Sequence, residues 1–342
     1  MSTMTLARLH AANDIRLDQV AIPTPGPNDI LVKVMHCGIC GSDLSYTKLG
    51  SLPGGVSPMP LGHEFAGVVD AKGCNVAAVS IGDRVAINPE GAGNAIGCGG
   101  AQGAFAAYVL VENVVADPGL VIKLPASIDF ELSALIEPLA VGMNGIDRAN
   151  IQTGETVVVF GAGPVGLSAA LLAKHCYDVD VVVADLSEKR LAVAKALGLT
   201  PFLAGAGSID AFLKDRHGRC MSEPRLGEQA STDVYIEATG VGEVFQTIMK
   251  TAKKNARVVV IGVHFSPIKL DMVNFLIRQL TLSASMSYTN DTFTRVCKIL
   301  EADSLDVRPL ITHHYPLSQF DTAFNQAKRQ DEAVKVLINC QQ

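Results

Sequence analysis

Between Thr156 and Asp185 the chain runs through an apolar stretch, a glycine-rich turn, a helical pattern and a second apolar stretch, and few folds accommodate that order. "TVVVF" (156–160) is short, uninterrupted and β-branched, the composition of a strand buried on both faces. It leads directly into Gly161-x-Gly163-x-x-Gly166, and "GLSAALLAKHC" (166–176) follows with apolar residues at helical intervals. "DVVVAD" (180–185) is a second strand. Two strands joined by a helix build a parallel unit, because parallel neighbours need a long crossover. The first glycine permits a tight turn, the second lets the backbone approach a pyrophosphate, and the third lets the helix pack closely on the strand. The helix start supplies N–H groups and a positive dipole end for the phosphate. A glycine-rich turn without a ligand is the plainer alternative. Asp185 argues for the ligand, since a carboxylate at that strand end accepts hydrogen bonds from both adenosine-ribose hydroxyls. It would also repel a 2'-phosphate, and Leu186 and Ser187 offer no compensating charge. NAD is therefore the expected cofactor. Lys189 and Arg190, solvated on a helix start or close to that ribose, keep NADP as the alternative. The residues expected to hold the dinucleotide are Gly161, Gly163, Pro164, Val165, Gly166, Asp185, Arg190, Gly240 and Val263.

The alternation continues through "EKRLAVAKALG" (188–198), "DVYIEATG" (233–240), "VFQTIMKTAKK" (244–254), "ARVVVIG" (256–262) and "LTLSASM" (280–286). That pattern predicts an α/β fold with a doubly wound parallel sheet covered by helices on both faces. The chain ahead of it is different. Short apolar runs such as "ILVKVMHCG", "FAGVVDAKG", "GDRVAIN" and "FAAYVLV" alternate with glycine and proline, which predicts a compact β-rich domain, a distorted barrel or sandwich. "IDFELSALIEPLAVGMNGIDRA" (128–149) has helical spacing and links the two. A chain of 342 residues exceeds what one core supports. The expected domains are 1–150, with a C-terminal return over about 290–342, and 151–289. Residues 204–231 are polar and poorly patterned, which predicts a mobile connection.

A net charge of −6 with no long basic run argues against a nucleic-acid or anionic-membrane surface. No stretch has the apolar core of a signal peptide or a membrane span, so a cytoplasmic location is expected. The eight cysteines are scattered over a large chain rather than concentrated, so they are expected to be reduced.

"HCGICGSD" (36–43) has the C-x-x-C spacing of a redox pair or half a zinc knuckle. A thiol–disulfide centre wants that motif at a helix start in a thioredoxin-like unit, which the surrounding pattern does not supply. A knuckle wants a second cysteine pair, and none follows. The third reading uses one cysteine. Candidate ligands nearby are His36, Cys37, Cys40, His63 and Glu64, and "PLGHEFAGVV" (60–69) sets His63 and Glu64 side by side just before an apolar strand. A catalytic zinc takes about three protein ligands and keeps one position open. Cys40, His63 and Glu64 can supply thiolate, imidazole and carboxylate, with Asp43 accepting the other imidazole N–H. On spacing alone, a solvated His-Glu turn beside a core cysteine stands equally well.

"GICGSD", "GHE", "GDRV", "EPLAV", "GAGPVG" and the tail "PLITHHYPL" together resemble the zinc-dependent medium-chain alcohol dehydrogenases, over essentially the whole chain. The branch it is most similar to is that of sorbitol, idonate and other polyol or secondary-alcohol dehydrogenases. The resemblance implies a GroES-like catalytic domain joined to a Rossmann domain. It implies a zinc held by Cys40 and His63, with Glu64 as ligand or exchangeable ligand and Glu137 of "EPLAV" bound directly or through water. It places Ser42 in the position that passes the substrate's hydroxyl proton outwards, with Asp43 behind His63 and with Ser45 or water as the next step. A turn serine bonded to local backbone is the alternative for Ser42. A homo-oligomer, dimer or tetramer, is also implied.

Three departures qualify the resemblance. Only Cys98 occupies the stretch after "GDRV", where many members carry four cysteines on a second zinc. One catalytic zinc per chain and no structural zinc are expected. Ser45 and Asn144 stand where relatives often have histidine. The expected activity is reversible oxidation of a secondary alcohol or polyol by NAD to the ketone or aldehyde. The alternatives are an NADPH-dependent aldehyde or ketone reductase on the same scaffold, and a non-catalytic dinucleotide sensor.

Overall fold

The structure is a computed structural model and describes residues 2–342. It divides into two compact units. The first comprises the chain up to Glu137, then Thr289–Arg329 and Lys335–Gln342; the second comprises Pro138–Tyr288 and Gln330–Val334.

In the first unit the strand Ile30–Ile39 is the axis of a seven-stranded sheet. Glu64–Lys72 runs antiparallel along one side of it. Tyr108–Val111 flanks its first half on the other side, and Lys335–Asn339 flanks its last residues. With neighbours on both sides and layers on both faces, Ile30, Val32, Val34, Cys37 and Ile39 are all buried, and the strand is apolar almost throughout. A second sheet pairs Thr3–Ala11 with Asp14–Ala21 and Met59–Pro60. The register Gly38↔Glu64 is what matters for chemistry, because it sets the end of one strand against the start of the next.

The second unit is a six-stranded, wholly parallel sheet in the order Thr200–Leu203, Asp180–Asp185, Thr156–Phe160, Val234–Glu237, Arg257–Val260, Thr281–Ala284. From Thr156–Phe160 the chain winds first one way and later the other. The switch point falls between Thr156–Phe160 and Val234–Glu237, where doubly wound sheets bind ligands. Five of these strands are those the alternating pattern predicts; Thr200–Leu203 adds a sixth at the edge.

Residues 204–231 depart from expectation. They hold the helix Ile209–His217 and a small antiparallel pair, Arg219–Cys220 with Gln229–Ala230. The apolar face of the helix is short, with Ile209, Phe212 and Leu213 packed on the core, and charge pairs occupy most of its other positions. Lys214 pairs with Asp210 (2.7 Å), Arg216 with Asp180 (2.7 Å) and Arg219 with Asp215 (2.6 Å), while Leu213 is the helix's buried apolar side chain.

Candidate metal centre and dinucleotide site

Cys40 follows the axial strand directly and caps the helix Gly41–Leu49, which Gly50 ends in the left-handed region (φ 85°). Its backbone N–H donates to Asp43 Oδ2 at 2.9 Å. A short helix begun this way points Ser42 and Asp43 back towards the 60–64 segment. Asp43 is fully buried; its Oδ1 accepts from the Gly62 N–H (3.4 Å) and lies 3.6 Å from His63 Nδ1. Ser42 Oγ is 3.2 Å from His63 Nε2. The donor atoms of Cys40, His63 and Glu64 lie within 4.8 Å of one another, and no other such cluster exists among the described residues.

Those donors fit a zinc ion. Thiolate, imidazole and carboxylate are donor types that zinc takes, and all three are gathered within 4.8 Å. The electrostatics point the same way. Burial alone would lower His63, yet the charges of Cys98, Asp43 and Cys40 hold its imidazole well above the usual range. Potential that draws a proton to an imidazole also draws a cation. His63 Nδ1 is buried and has no hydrogen-bond partner among the described residues, the Asp43 carboxylate lying just beyond bonding distance. Burial pushes the Cys40 thiol up, and the Glu64 charge adds to the rise.

Sequence reasoning missed Lys335. Its ammonium donates to both Glu64 oxygens (2.6 and 2.5 Å) and to the Ile39 carbonyl (3.2 Å), with both side chains 1% exposed. Desolvation works against its charge, but Glu64 and Cys40 hold Lys335 above its ordinary value. The available signal was a lysine at an inward position of "KVLIN", a strand buried over its first four residues. Glu137 lies in the first turn of Ile136–Ala149, buried, and its charge supports Lys335; it is outside the three-donor cluster.

Other candidates go elsewhere. Cys37 is fully buried, its thiol pushed up by burial. His36 Nε2 turns to Glu131 (3.8 Å). Ser45 Oγ donates to the Gly41 carbonyl of its own helix at 3.0 Å, a back-bond that occupies its proton. Tyr46 is a further hydroxyl on this helix: burial and the Cys98 charge raise its phenol, and a hydrogen bond with Ser42 offsets part of that rise. Cys98 is brought to this side by the short glycine-rich loop, where Leu61 bridges Cys98 and a side chain at Gly97 would collide with the Gly62 carbonyl at 2.2 Å. Asn144 donates to the carbonyls of Met286 (3.3 Å) and Ser287 (2.9 Å).

In the second unit Gly161 has φ 103°, and a Cβ on Gly166 would stand 2.0 Å from the Gly161 carbonyl oxygen, so the third glycine is a packing requirement. Gly163 caps the helix Pro164–Tyr177, with Pro164 and Val165 in its first turn. Asp185 Oδ2 accepts from the Ala162 N–H (2.6 Å) and Oδ1 from the Ser187 N–H (2.8 Å), which holds the carboxylate beside the glycine turn. Arg190 donates to the Ala333 carbonyl through Nε (2.9 Å) and Nη2 (2.8 Å), and Lys189 pairs with Glu332 at 2.8 Å. Gly240 is at φ 70° and its backbone lies against Val263, whose side chain is exposed.

Residues 26–125 match the alcohol dehydrogenase GroES-like domain family and residues 164–302 the zinc-binding dehydrogenase family. Sorbitol dehydrogenases from Mus musculus and Bos taurus are each 34% identical, over 97% of this chain and 94% and 95% of their own lengths. The chain belongs to the zinc-binding medium-chain alcohol dehydrogenases. Among solved structures, 2R,3R-butanediol dehydrogenase from Bacillus subtilis superposes with a TM-score of 0.85 at 26% identity, covering 98% of this chain and 99% of that one. L-Idonate 5-dehydrogenase from Escherichia coli shares the fold (TM-score 0.83, 23% identity, 99% of this chain and 98% of that one). As a medium-chain alcohol dehydrogenase, this protein is an enzyme, a zinc-dependent alcohol or polyol oxidoreductase using a nicotinamide dinucleotide and a small-molecule substrate. The GroES-like and Rossmann architecture implied by the sequence motifs is the one found.

Proposed function

We propose that the chain oxidises a secondary alcohol or polyol with NAD, reversibly, using one catalytic zinc held by Cys40, His63 and Glu64 and no structural zinc. The observation that carries this reading is the clustering of those three donor atoms within 4.8 Å, with Ser42 Oγ 3.2 Å from the histidine. When bound, the zinc supplies Lewis acidity towards a substrate hydroxyl, and the nicotinamide supplies the hydride acceptor.

The chain's own residues do the rest. Ser42 Oγ is the group nearest the cluster able to accept the substrate's hydroxyl proton while giving up its own. Asp43, fixed by the Cys40 and Gly62 N–H groups, orients the His63 ring. Lys335 keeps Glu64 ionised and near the cluster, and Glu137 supports the lysine. The proton then leaves by Tyr46 or water, since the Ser45 hydroxyl is bonded to its own helix. Asp185, fixed beside the glycine turn, favours NAD over NADP, and the donors of Arg190 are turned to a backbone carbonyl. Gly161, Gly163, Pro164, Val165, Gly166, Gly240 and Val263 would border the dinucleotide. Residues 1–150 with about 290–342 are proposed as the catalytic domain and 151–289 as the NAD-binding domain.

A homo-oligomer is supported by the edge strand Thr281–Ala284, whose outer side has no partner strand among the described residues and which carries exposed Leu282, with Val273, Leu276 and Met286 also exposed in this unit. Among the described residues no helix is long and apolar enough to cross a membrane. A cytoplasmic location without nucleic-acid or membrane partners accords with the charge balance.

The test is metal analysis of the purified protein with nicotinamide-absorbance assays on polyols, cyclic alcohols and simple secondary alcohols, with and without chelator. About one zinc per chain and chelator-sensitive reduction of NAD are expected. Activity indifferent to chelation refutes the zinc assignment, and a preference for NADPH refutes the cofactor assignment.

A further inference from the structure

The second unit contains a buried acid bonded to a partly exposed imidazole, a pair that the chemistry above does not use. Glu237 is the last residue of Val234–Glu237 and is fully buried. Its Oε1 accepts from the Thr239 N–H (2.7 Å), the Thr239 hydroxyl and the Gly240 N–H (3.0 Å), and its Oε2 accepts from His264 Nε2 at 2.9 Å. A carboxylate only accepts, so the neutral imidazole carries its proton on Nε2 and keeps a lone pair on Nδ1. His264 Nδ1 makes no hydrogen bond to any described residue, and the side chain is 13% exposed. Glu237 has fixed an imidazole with its acceptor edge facing outwards.

The direction it faces follows from the topology. Glu237 is paired with Phe160 across the switch point, and the loops after these two strands frame the ligand crevice. A Cβ on Gly161 would stand 3.0 Å from the Ala238 carbonyl oxygen, so the phosphate turn and the 238–241 loop touch. Gly240 and Gly262 press that loop onto the 261–264 loop: a Cβ on Gly240 would meet the Val263 carbonyl at 2.4 Å, and one on Gly262 the Gly240 nitrogen at 2.2 Å. Phe245 backs the imidazole, edge on, at 6.3 Å between centroids. Asp185 marks the adenosine side, on the strand to the other side of Thr156–Phe160. A dinucleotide crossing the crevice therefore lays its second nucleotide on the side of His264.

We propose that His264 is a cofactor-binding residue whose Nδ1 accepts a hydrogen bond from the nicotinamide half of the dinucleotide, from a ribose hydroxyl or the carboxamide N–H. This rests on the NAD reading above and adds a residue that the glycine motif does not contain. Glu237 acts through it as a positioning residue, holding tautomer and ring angle.

The experiment is titration of the purified full chain with ADP, ADP-ribose and NADH, for the wild type, His264→Phe and His264→Gln. The glutamine amide reaches the Nε2 position and can still donate to Glu237, but it has no acceptor at the Nδ1 position. Both variants are expected to bind ADP as the wild type does and NADH about three- to tenfold more weakly, the effect of one neutral hydrogen bond. A parallel loss for ADP-ribose assigns the donor to the ribose, and a loss for NADH alone assigns it to the carboxamide; both support the proposal. Unchanged NADH affinity in both variants overturns it, as does an equal loss of ADP and NADH, which would mean a purely structural role. A wild type that binds none of the three refutes the NAD reading itself.

Discussion

Lys335 carries an ammonium group inside a strand whose neighbours are almost all apolar, and Glu64 is the group that keeps it there. Removing one partner of a buried pair leaves the other charge uncompensated. Lys335→Met is expected to lower unfolding free energy by about 3–5 kcal/mol in chelator-stripped protein, and by less in the zinc-loaded form, where a metal at the proposed cluster would offset the Glu64 charge; urea denaturation of both forms measures it. Ser42→Ala is expected to reduce turnover about a hundredfold or more with zinc content unchanged. Undiminished activity in that variant would make Ser42 a turn residue only. At this scale the motifs named Cys40, Ser42, Asp43, His63 and Glu64. They were silent on Lys335 and His264, which reach their partners from other elements, and on Tyr46, one turn beyond Ser42 on the same helix.

Among the elements, the turn between Thr156–Phe160 and Pro164–Tyr177 has the least freedom. A methyl on Gly166 would overlap the Gly161 carbonyl, and the helix start that offers N–H groups to phosphate would be pushed off the strand. Gly166→Ala is expected to abolish NADH binding while zinc content stays at the wild-type level, readable by fluorescence titration and metal analysis on one sample. The helix Ile209–His217 illustrates pH linkage. Burial lowers His217 below its ordinary value, its Nε2 has no hydrogen-bond partner, and Asp180 at 3.9 Å only partly opposes the effect. The unfolded chain therefore takes up the proton first as pH falls. The stability held by the neutral ring is complete above the ordinary imidazole range, and it is lost as pH falls through that range towards the lowered folded value. Thermal midpoints of the wild type should fall more between pH 7.5 and pH 5 than those of His217→Gln, and identical slopes would refute the assignment. Glycine requirements and β-branched runs were legible here because turn geometry and strand burial are local; this helix was not, because its apolar stripe is only Ile209, Phe212 and Leu213 among charged residues.

For the whole molecule, the exposed edge at Thr281–Ala284 sets the expected assembly. Leu282→Lys puts a charge on that edge and is expected to shift the protein towards monomer in light scattering, with the nicotinamide-binding affinity of each chain retained. An unchanged mass would place the contact elsewhere.

By itself the sequence determined the parallel sheet, the phosphate turn, the acidic strand end and the motifs of a zinc dehydrogenase. Each depends on a period of two or 3.6 residues, a glycine no other residue can replace, or a short ligand spacing. Only the tertiary structure decided which groups share the metal cluster. The pairing of Gly38 with Glu64 brings Cys40 to His63, and a strand from the far end of the chain carries Lys335 to Glu64. It likewise turned His36 and Ser45 away, brought Cys98 near, and set the acceptor edge of His264 at the switch point. Such contacts come from long-range register and crossover topology, and the free energy that selects them is summed over the whole core rather than written in any single stretch of residues.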